Sequence, residues 1–140
     1  MPKISEYEAP VQVRMDEGAY DAVPLKIDGP IETEYNGVKR EKLVLTYEVA
    51  DVELQCWMTN TITKGEGNYS NSALYDWLVK MGKYKEFIKK QDQLRDDSAF
   101  IAWANAWLSA EKPKVQVVVK NSNKDKENEY STVREVLKVL

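Results

Sequence analysis

Residues 42–60, KLVLTYEVADVELQCWMTN, constrain the fold most, because two runs of alternating apolar residues flank a short polar break. Alternation with a period of two is typical of half-buried β-strands, so this segment predicts a β-hairpin. In its second strand, Leu54, Cys56 and Met58 share the apolar face. Trp57 therefore falls on the opposite face, among polar neighbours, and is predicted to point away from the core.

An outward tryptophan on an open sheet face has a physical use, because a flat aromatic ring can stack on a nucleobase or a sugar. Large aromatic residues are on average highly buried, so the alternative is that a loop, a helix or a second subunit covers Trp57. The other three tryptophans lie on apolar stripes at helical spacing, and we expect them in the core. They are Trp77, Trp103 and Trp107.

The length of 140 residues predicts one domain, residues 1–140, with a sizeable core. Cys56 is the single cysteine, so no intramolecular disulfide can form. The first ten residues, MPKISEYEAP, lack the apolar stretch of a signal peptide, and no apolar run approaches the length of a membrane span. We therefore expect a soluble, intracellular, cytoplasmic protein with no membrane partner.

The chain contains no histidine. Histidine is the commonest general base and the commonest metal ligand, and one cysteine cannot complete a zinc site without it. No glycine-rich phosphate loop, Walker pattern or nucleophile elbow is found. The sequence therefore predicts no catalytic residues, no metal, no cofactor and no enzyme activity.

Positive charge is concentrated in three segments, although the net charge is −3. These segments are 35–42, 80–90 and 112–126, each of which has more lysine and arginine than aspartate and glutamate. If they converge in space, the surface would attract a polyanion despite the acidic total. If they do not converge, they are ordinary solvated faces.

Three further strands are expected. The first lies within 18–34, the fourth covers 114–120 and the fifth lies within 130–140. Asn36 and Gly37 form the strongest short turn signal in the chain, between the first and second strands.

Three helices are predicted between the third and fourth strands. The first follows a cap at Ser72 or Asn71, the second covers 83–91, and the third follows a cap at Asp97 or Ser98. Three strands, a helical connection and two strands is the order of elements in the OB-fold.

The predicted fold class is thus mainly β with helices, α+β. It is an OB-like five-stranded antiparallel Greek-key barrel with a helical insertion, about 83–111, between strands three and four. Such barrels bind oligonucleotides or oligosaccharides on strands two and three and on the loops between strands one and two and strands four and five. In this chain those loops are the basic segments 35–42 and 120–126.

The stretches GAYDAVPLKIDGPIETEYNGVKREKLVLTYEV, SNSALYDWLVKMG and KPKVQVVVKNSNKDKENEYSTVREVL resemble small OB-fold single-stranded-DNA-binding-like proteins of phages, archaeal viruses and prokaryotes. The resemblance covers most of the chain outside 83–111. The shared features are the hydrophobic pattern, the turn glycines and the tyrosine-to-valine spacing of the last strand. The resemblance implies a viral or prokaryotic protein of DNA replication or repair. The chain lacks the flexible acidic tail of bacterial single-stranded-DNA-binding proteins, so recruitment of partners by such a tail is not expected.

The predicted function is non-catalytic, largely sequence-independent binding of single-stranded nucleic acid, DNA in preference to RNA. Aromatic rings would stack on bases, and basic side chains would contact phosphates. One alternative is a protein-interaction or structural module that uses Trp57 as an interface, and a homo-oligomer stays open. Another is carbohydrate binding, which would use the same aromatic ring but gives the lysines no role. The predicted nucleic-acid-binding residues are Trp57, Tyr35, Tyr69, Lys39, Arg40, Lys42, Gln55, Lys64, Lys120, Lys124 and Lys126.

Overall fold

The computed structural model describes residues 13–122 and 129–140. Within those residues the chain forms five strands and three α-helices, and a short 3-10 helix, Gln91–Gln93, precedes the last α-helix. None of the helices in this part of the chain is long and apolar enough to cross a membrane. In chain order the elements are β1 (Gly18–Tyr35), β2 (Val38–Val49), β3 (Val52–Thr59), α1 (Ala73–Lys80), α2 (Tyr84–Lys89), α3 (Asp97–Glu111), β4 (Val115–Ser122) and β5 (Tyr130–Val139).

All five strands belong to one antiparallel sheet with the order β3-β2-β1-β4-β5. The predicted mainly β class, the number of strands and the position of the helices between β3 and β4 are confirmed. The predicted closure into a barrel is not found. The two edge strands, β3 and β5, approach each other, but no hydrogen-bonded ladder joins them. α1 contacts both edges, and the pairing of β5 with β4 shifts register twice, which bends β5 away from a regular ladder.

The long strand β1 holds the two halves of the sheet together. Its first residues, Gly18 to Ala22, pair with β4, and most of its length pairs with β2. Two register shifts interrupt the pairing with β2, the second between Asp28 and Ile31. Gly29 lies in this second bulge at φ +136°, where a Cβ atom would stand 2.9 Å from a backbone oxygen of β2. Only glycine fits this close approach.

The core lies between the inner face of the sheet and the three helices. Trp77 of α1 stacks on Trp107 of α3 with ring centroids 5.3 Å apart, and both are buried as predicted. Trp103 is half-buried and packs against the same cluster. Three of the four tryptophans thus serve the core, which sets Trp57 apart.

The N-cap residue agrees with the sequence prediction for α1 but not for α3. Ser72 caps α1, since its hydroxyl accepts a hydrogen bond from a backbone N–H in the first turn. The cap residue of α3 is Asp96, so the predicted cap at Asp97 or Ser98 is wrong by one or two residues. The carboxylate of Asp97 instead accepts a hydrogen bond from the Asn60 side chain at 3.0 Å, which ties α3 to the end of β3.

Candidate functional site

Trp57 lies on the outer face of β3 with 37% of its surface exposed, as the alternation predicts. Its neighbours of opposite orientation, Leu54 and Met58, are buried in the core. The indole N–H of Trp57 donates to the Gln55 side-chain oxygen at 3.4 Å. Gln55 was also predicted as a site residue, and this bond places it beside the ring on the same face of β3.

The pairing of β2 with β3 brings positive charge to the same face as Trp57. Directly paired residues of antiparallel strands share a face, and Trp57 pairs with Val44 while Thr59 pairs with Lys42. By the period of two, Arg40 follows Lys42 on that face. We define the β2–β3 face as Arg40, Lys42, Gln55 and Trp57. Arg40 and Lys42 line an open cavity of about 370 Å³, whose other lining residues are Thr33, Asn36 and Val38.

The β2–β3 face also contains buried apolar residues. Val44, the cross-strand partner of Trp57, has 0% of its surface exposed. Ile31, the cross-strand partner of Lys42, is also buried. Neither belongs to the main core cluster. Buried neighbours restrict the movement of Trp57 and Lys42. A preorganised surface loses less conformational entropy when it binds a ligand.

The charge on this outer face is polarised along the strands. At the end nearest the β2–β3 turn, Glu48 pairs directly with Glu53, and both are exposed. At the opposite end lie Arg40 and Lys42, with Trp57 between the two ends. An anionic ligand is therefore attracted to the half of the face that adjoins the β1–β2 turn.

Lys39 is not brought to the β2–β3 face. It pairs with Glu34 across β1 and β2, and its ammonium lies 3.7 Å from the Glu32 carboxylate. Because side chains alternate along a strand, Lys39 points to the side opposite Arg40 and Lys42. Its predicted role in the site has no support from its position.

Lys120 lies in a different part of the sheet. It is exposed on β4 and follows Val119, which pairs with Gly18 at the start of β1. Lys42, in contrast, pairs with Ile31 in the second half of β1. The strand register therefore does not place these two lysines side by side.

Two predicted residues lie in the loop after β3. Tyr69 is 83% exposed and Lys64 is also exposed. Two side chains next to α1 hold the loop in place. The Ser72 hydroxyl accepts a hydrogen bond from the backbone N–H of Thr63, and the Asn71 amide oxygen accepts one from the backbone N–H of Gly65. The loop presents Tyr69 and Lys64 to solvent.

Tyr35 is the last residue of β1 and pairs with Val38 across the predicted Asn36-Gly37 turn. The Tyr35 side chain lies outside the described part of the structure. Lys124 and Lys126 lie outside the described residues altogether. Their predicted contribution to the site stays a prediction.

Three residues of the site were not predicted, namely Thr33, Asn36 and Val38 of the cavity. For Val38 a sequence signal exists, since counting by twos from Lys42 reaches it. Thr33 carries no such signal, because the bulge at Gly29 changes which residues of β1 face outward.

A second cavity, of about 270 Å³, lies between β3, β5 and α1. Its lining includes Tyr47 and Cys56, two groups that become nucleophiles when ionised. Burial raises the pKa of the Cys56 thiol to about 11, and the Arg134 guanidinium opposes part of this shift. Burial, and then the neighbouring Cys56, raise the pKa of Tyr47 well above its usual value. Both groups are therefore neutral at physiological pH, and neither is an activated nucleophile.

Among the described residues, no group of three or more Cys, Asp or Glu side chains is arranged to hold a metal ion. A scan against protein-family models found no family that matches this chain, and a search of curated proteins found no similar sequence. The family expected from the sequence pattern therefore stays a prediction.

Proposed function

We propose that this protein binds single-stranded nucleic acid, DNA in preference to RNA, without catalysis and largely independently of base sequence. The observation that carries the proposal is the exposed ring of Trp57 on the same sheet face as Arg40 and Lys42. Trp57 stacks on a base, and the two basic side chains contact the phosphates. Stacking tolerates any base, because every base has a π-face.

The spacing on the β2–β3 face suits this division of roles. Lys42 is two residues from Val44, the partner of Trp57, so the backbone positions of Lys42 and Trp57 are offset by roughly 7 Å along the strands. One bound nucleotide can then place its base on Trp57 and its phosphate near Lys42. The acidic pair Glu48 and Glu53 repels phosphate from the other end of the face.

The strand order supports an OB-like assignment. In the order β3-β2-β1-β4 the fourth strand returns beside the first, which is the Greek-key arrangement. An OB-fold is a partly open five-stranded Greek-key barrel that binds ligands across strands two and three. We infer an OB-like domain that is open between β3 and β5, related to the small single-stranded-DNA-binding-like proteins that the sequence resembles.

Fluorescence anisotropy with a labelled oligo-dT of about 30 nucleotides tests the proposal, at low and near-physiological salt. We expect binding that weakens steeply as salt rises, and weaker binding to a duplex of the same length. An oligo-U of equal length should bind less tightly than oligo-dT. Failure to bind oligo-dT at low salt would overturn the proposal and favour the protein-interaction module.

A further inference from the structure

The lysines of residues 80–90 form a basic surface that the β2–β3 face does not include. This segment holds five lysines and one glutamate in a chain of net charge −3. Lys83 makes contacts within the fold. It forms an ion pair with Glu111, and its ammonium lies 5.1 Å from the centroid of the Trp107 ring. The other four are exposed, and we call them the helical lysines: Lys80, Lys85, Lys89 and Lys90.

The positive charge of the helical lysines is not compensated within the described part of the chain, where none of them lies within ion-pair distance of a carboxylate. The acidic side chains nearest in sequence have other partners. Glu86 accepts a hydrogen bond from the Trp103 indole at 3.3 Å, and Asp92 lies 3.0 Å from Arg95. The surface therefore keeps its charge available for an external anion.

α2 holds these charges on a fixed support. Phe87 of α2 is buried and meets Phe100 edge to face, with ring centroids 5.9 Å apart. It also contacts Trp103 at 6.2 Å, so α2 is packed onto α3 through aromatic rings. The backbone beneath Lys85 and Lys89 is thus set by the core, and these two side chains are neighbours four residues apart on one helix.

One of the helical lysines, Lys80, lies near β3, on the side of the strand that faces away from the Trp57 ring. Lys80, the last residue of α1, lines the 270 Å³ cavity together with Cys56 and Met58, which flank Trp57 in β3. Arg134 of β5 lines the same cavity. β3 is an edge strand, so a single strand that leaves the Trp57 ring and crosses that edge reaches Lys80 at the end of α1, and α2 begins four residues later.

The 270 Å³ cavity itself carries charges of both signs. Asp76 and Glu135 also line it, and Asp76 accepts a hydrogen bond from Asn71 at 3.0 Å. These carboxylates repel a phosphate inside the cavity. The cavity is therefore a poor phosphate site, and the exposed helical lysines are the positive groups that remain for a bound strand.

We propose that the helical lysines form a second phosphate-contacting surface for the single strand bound at Trp57. Strands that span both surfaces bind more tightly and with greater salt dependence than strands that cover the β2–β3 face alone. This inference rests on the proposed function, because it requires a nucleic acid on that face. It adds a preference for long single strands.

The test compares Lys85→Gln/Lys89→Gln with wild type on two oligo-dT probes, one of about 6 nucleotides and one of about 25. For the long probe, the double variant should bind more weakly, and the slope of log K against log salt should fall in magnitude by roughly 1.4. For the short probe, affinity and slope should stay at the wild-type values. Lys112→Gln/Lys114→Gln, near the β2–β3 turn end of the sheet, is the matched control and should leave both probes unaffected.

The outcomes separate the two proposals. If wild type binds the long probe and Lys85→Gln/Lys89→Gln matches its affinity and slope, the second surface is overturned and the proposed function stands. If the variant loses affinity equally for both probes, the second surface is also overturned, because it predicts an effect on the long probe alone. If wild type binds neither probe at low salt, the proposed function itself fails.

Discussion

Arg40 and Lys42 determine how strongly binding at the β2–β3 face depends on salt. Both side chains line the cavity beside the β1–β2 turn, and both lie on the same face as Trp57. A cation that neutralises a phosphate releases counterions, so each such cation adds to the salt dependence of the binding constant. Lys39, one residue away, points to the other side and lies near Glu32.

Replacing Arg40 and Lys42 together by Gln should reduce the magnitude of the slope of log K against log salt by roughly 1.4, or about 0.7 for each phosphate that is no longer neutralised. Anisotropy titrations with a short oligo-dT at several salt concentrations measure this slope. Lys39→Gln is the matched control, since it removes one charge from the same strand but from the opposite face. A slope that is unchanged in the double variant, or equally reduced in Lys39→Gln, would contradict the proposed phosphate binding.

The alternation of side chains along a β-strand, which predicts that Trp57 points outward, also explains which basic residues share its face. Counting from Lys42 reaches Arg40 and passes over Lys39, so this part of the site could be read from the sequence once the strand was known. Thr33 could not be placed in this way. Its position depends on the bulge at Gly29, where two residues of β1 oppose one of β2.

At the scale of elements, α3 packs against β1, and the Asn105 side chain adds hydrogen bonds between them. β4 pairs only with the first part of β1, so the backbone of Ile27 lies beyond the reach of that ladder. Asn105 of α3 completes it, because its amide oxygen accepts from the Ile27 N–H at 2.8 Å and its amide nitrogen donates to the Ile27 carbonyl at 3.0 Å. Asn105 thus substitutes for a neighbouring strand.

Asn105→Ala should lower the free energy of unfolding by about 1–3 kcal/mol, because two backbone groups of Ile27 lose their partners. Asn105→Asp retains an acceptor for the N–H but sets an ionised carboxylate oxygen against the Ile27 carbonyl oxygen, so it should destabilise the protein at least as much as Asn105→Ala at neutral pH. Urea unfolding monitored by circular dichroism gives both values. Wild-type stability of Asn105→Ala would show that this link between α3 and β1 is dispensable.

The strands and helices could be predicted because each buries one periodic face. Alternation defined β2 and β3, and helical spacing around Trp77 and Trp107 defined α1 and α3. Closure of the sheet could not be predicted. It depends on the register shifts of β5 and on α1 lying against both edge strands, and neither leaves a periodic signal in the sequence.

At the scale of the molecule, an acidic total coexists with positive surfaces. The net charge is −3, yet Arg40 and Lys42 lie together at one end of the β2–β3 face, and the exposed helical lysines extend from the end of α1, beside β3, along α2. Such local fields guide a polyanion to particular parts of the surface and away from the rest. The sequence contained this segregation of charge along the chain, but only the fold shows which basic segments adjoin Trp57.

The most direct test of the central claim is the affinity of Trp57→Ala for an oligo-dT of about 30 nucleotides, measured beside its mass in solution. Loss of one stacked base removes roughly 1–3 kcal/mol, so binding should weaken by about 5- to 150-fold at unchanged mass. Leu137→Ala of β5 is the control, because Leu137 has the same 37% exposed fraction and should bind as wild type does. Wild-type affinity of Trp57→Ala would contradict the claim, and an altered mass with that affinity would assign the ring to a subunit interface.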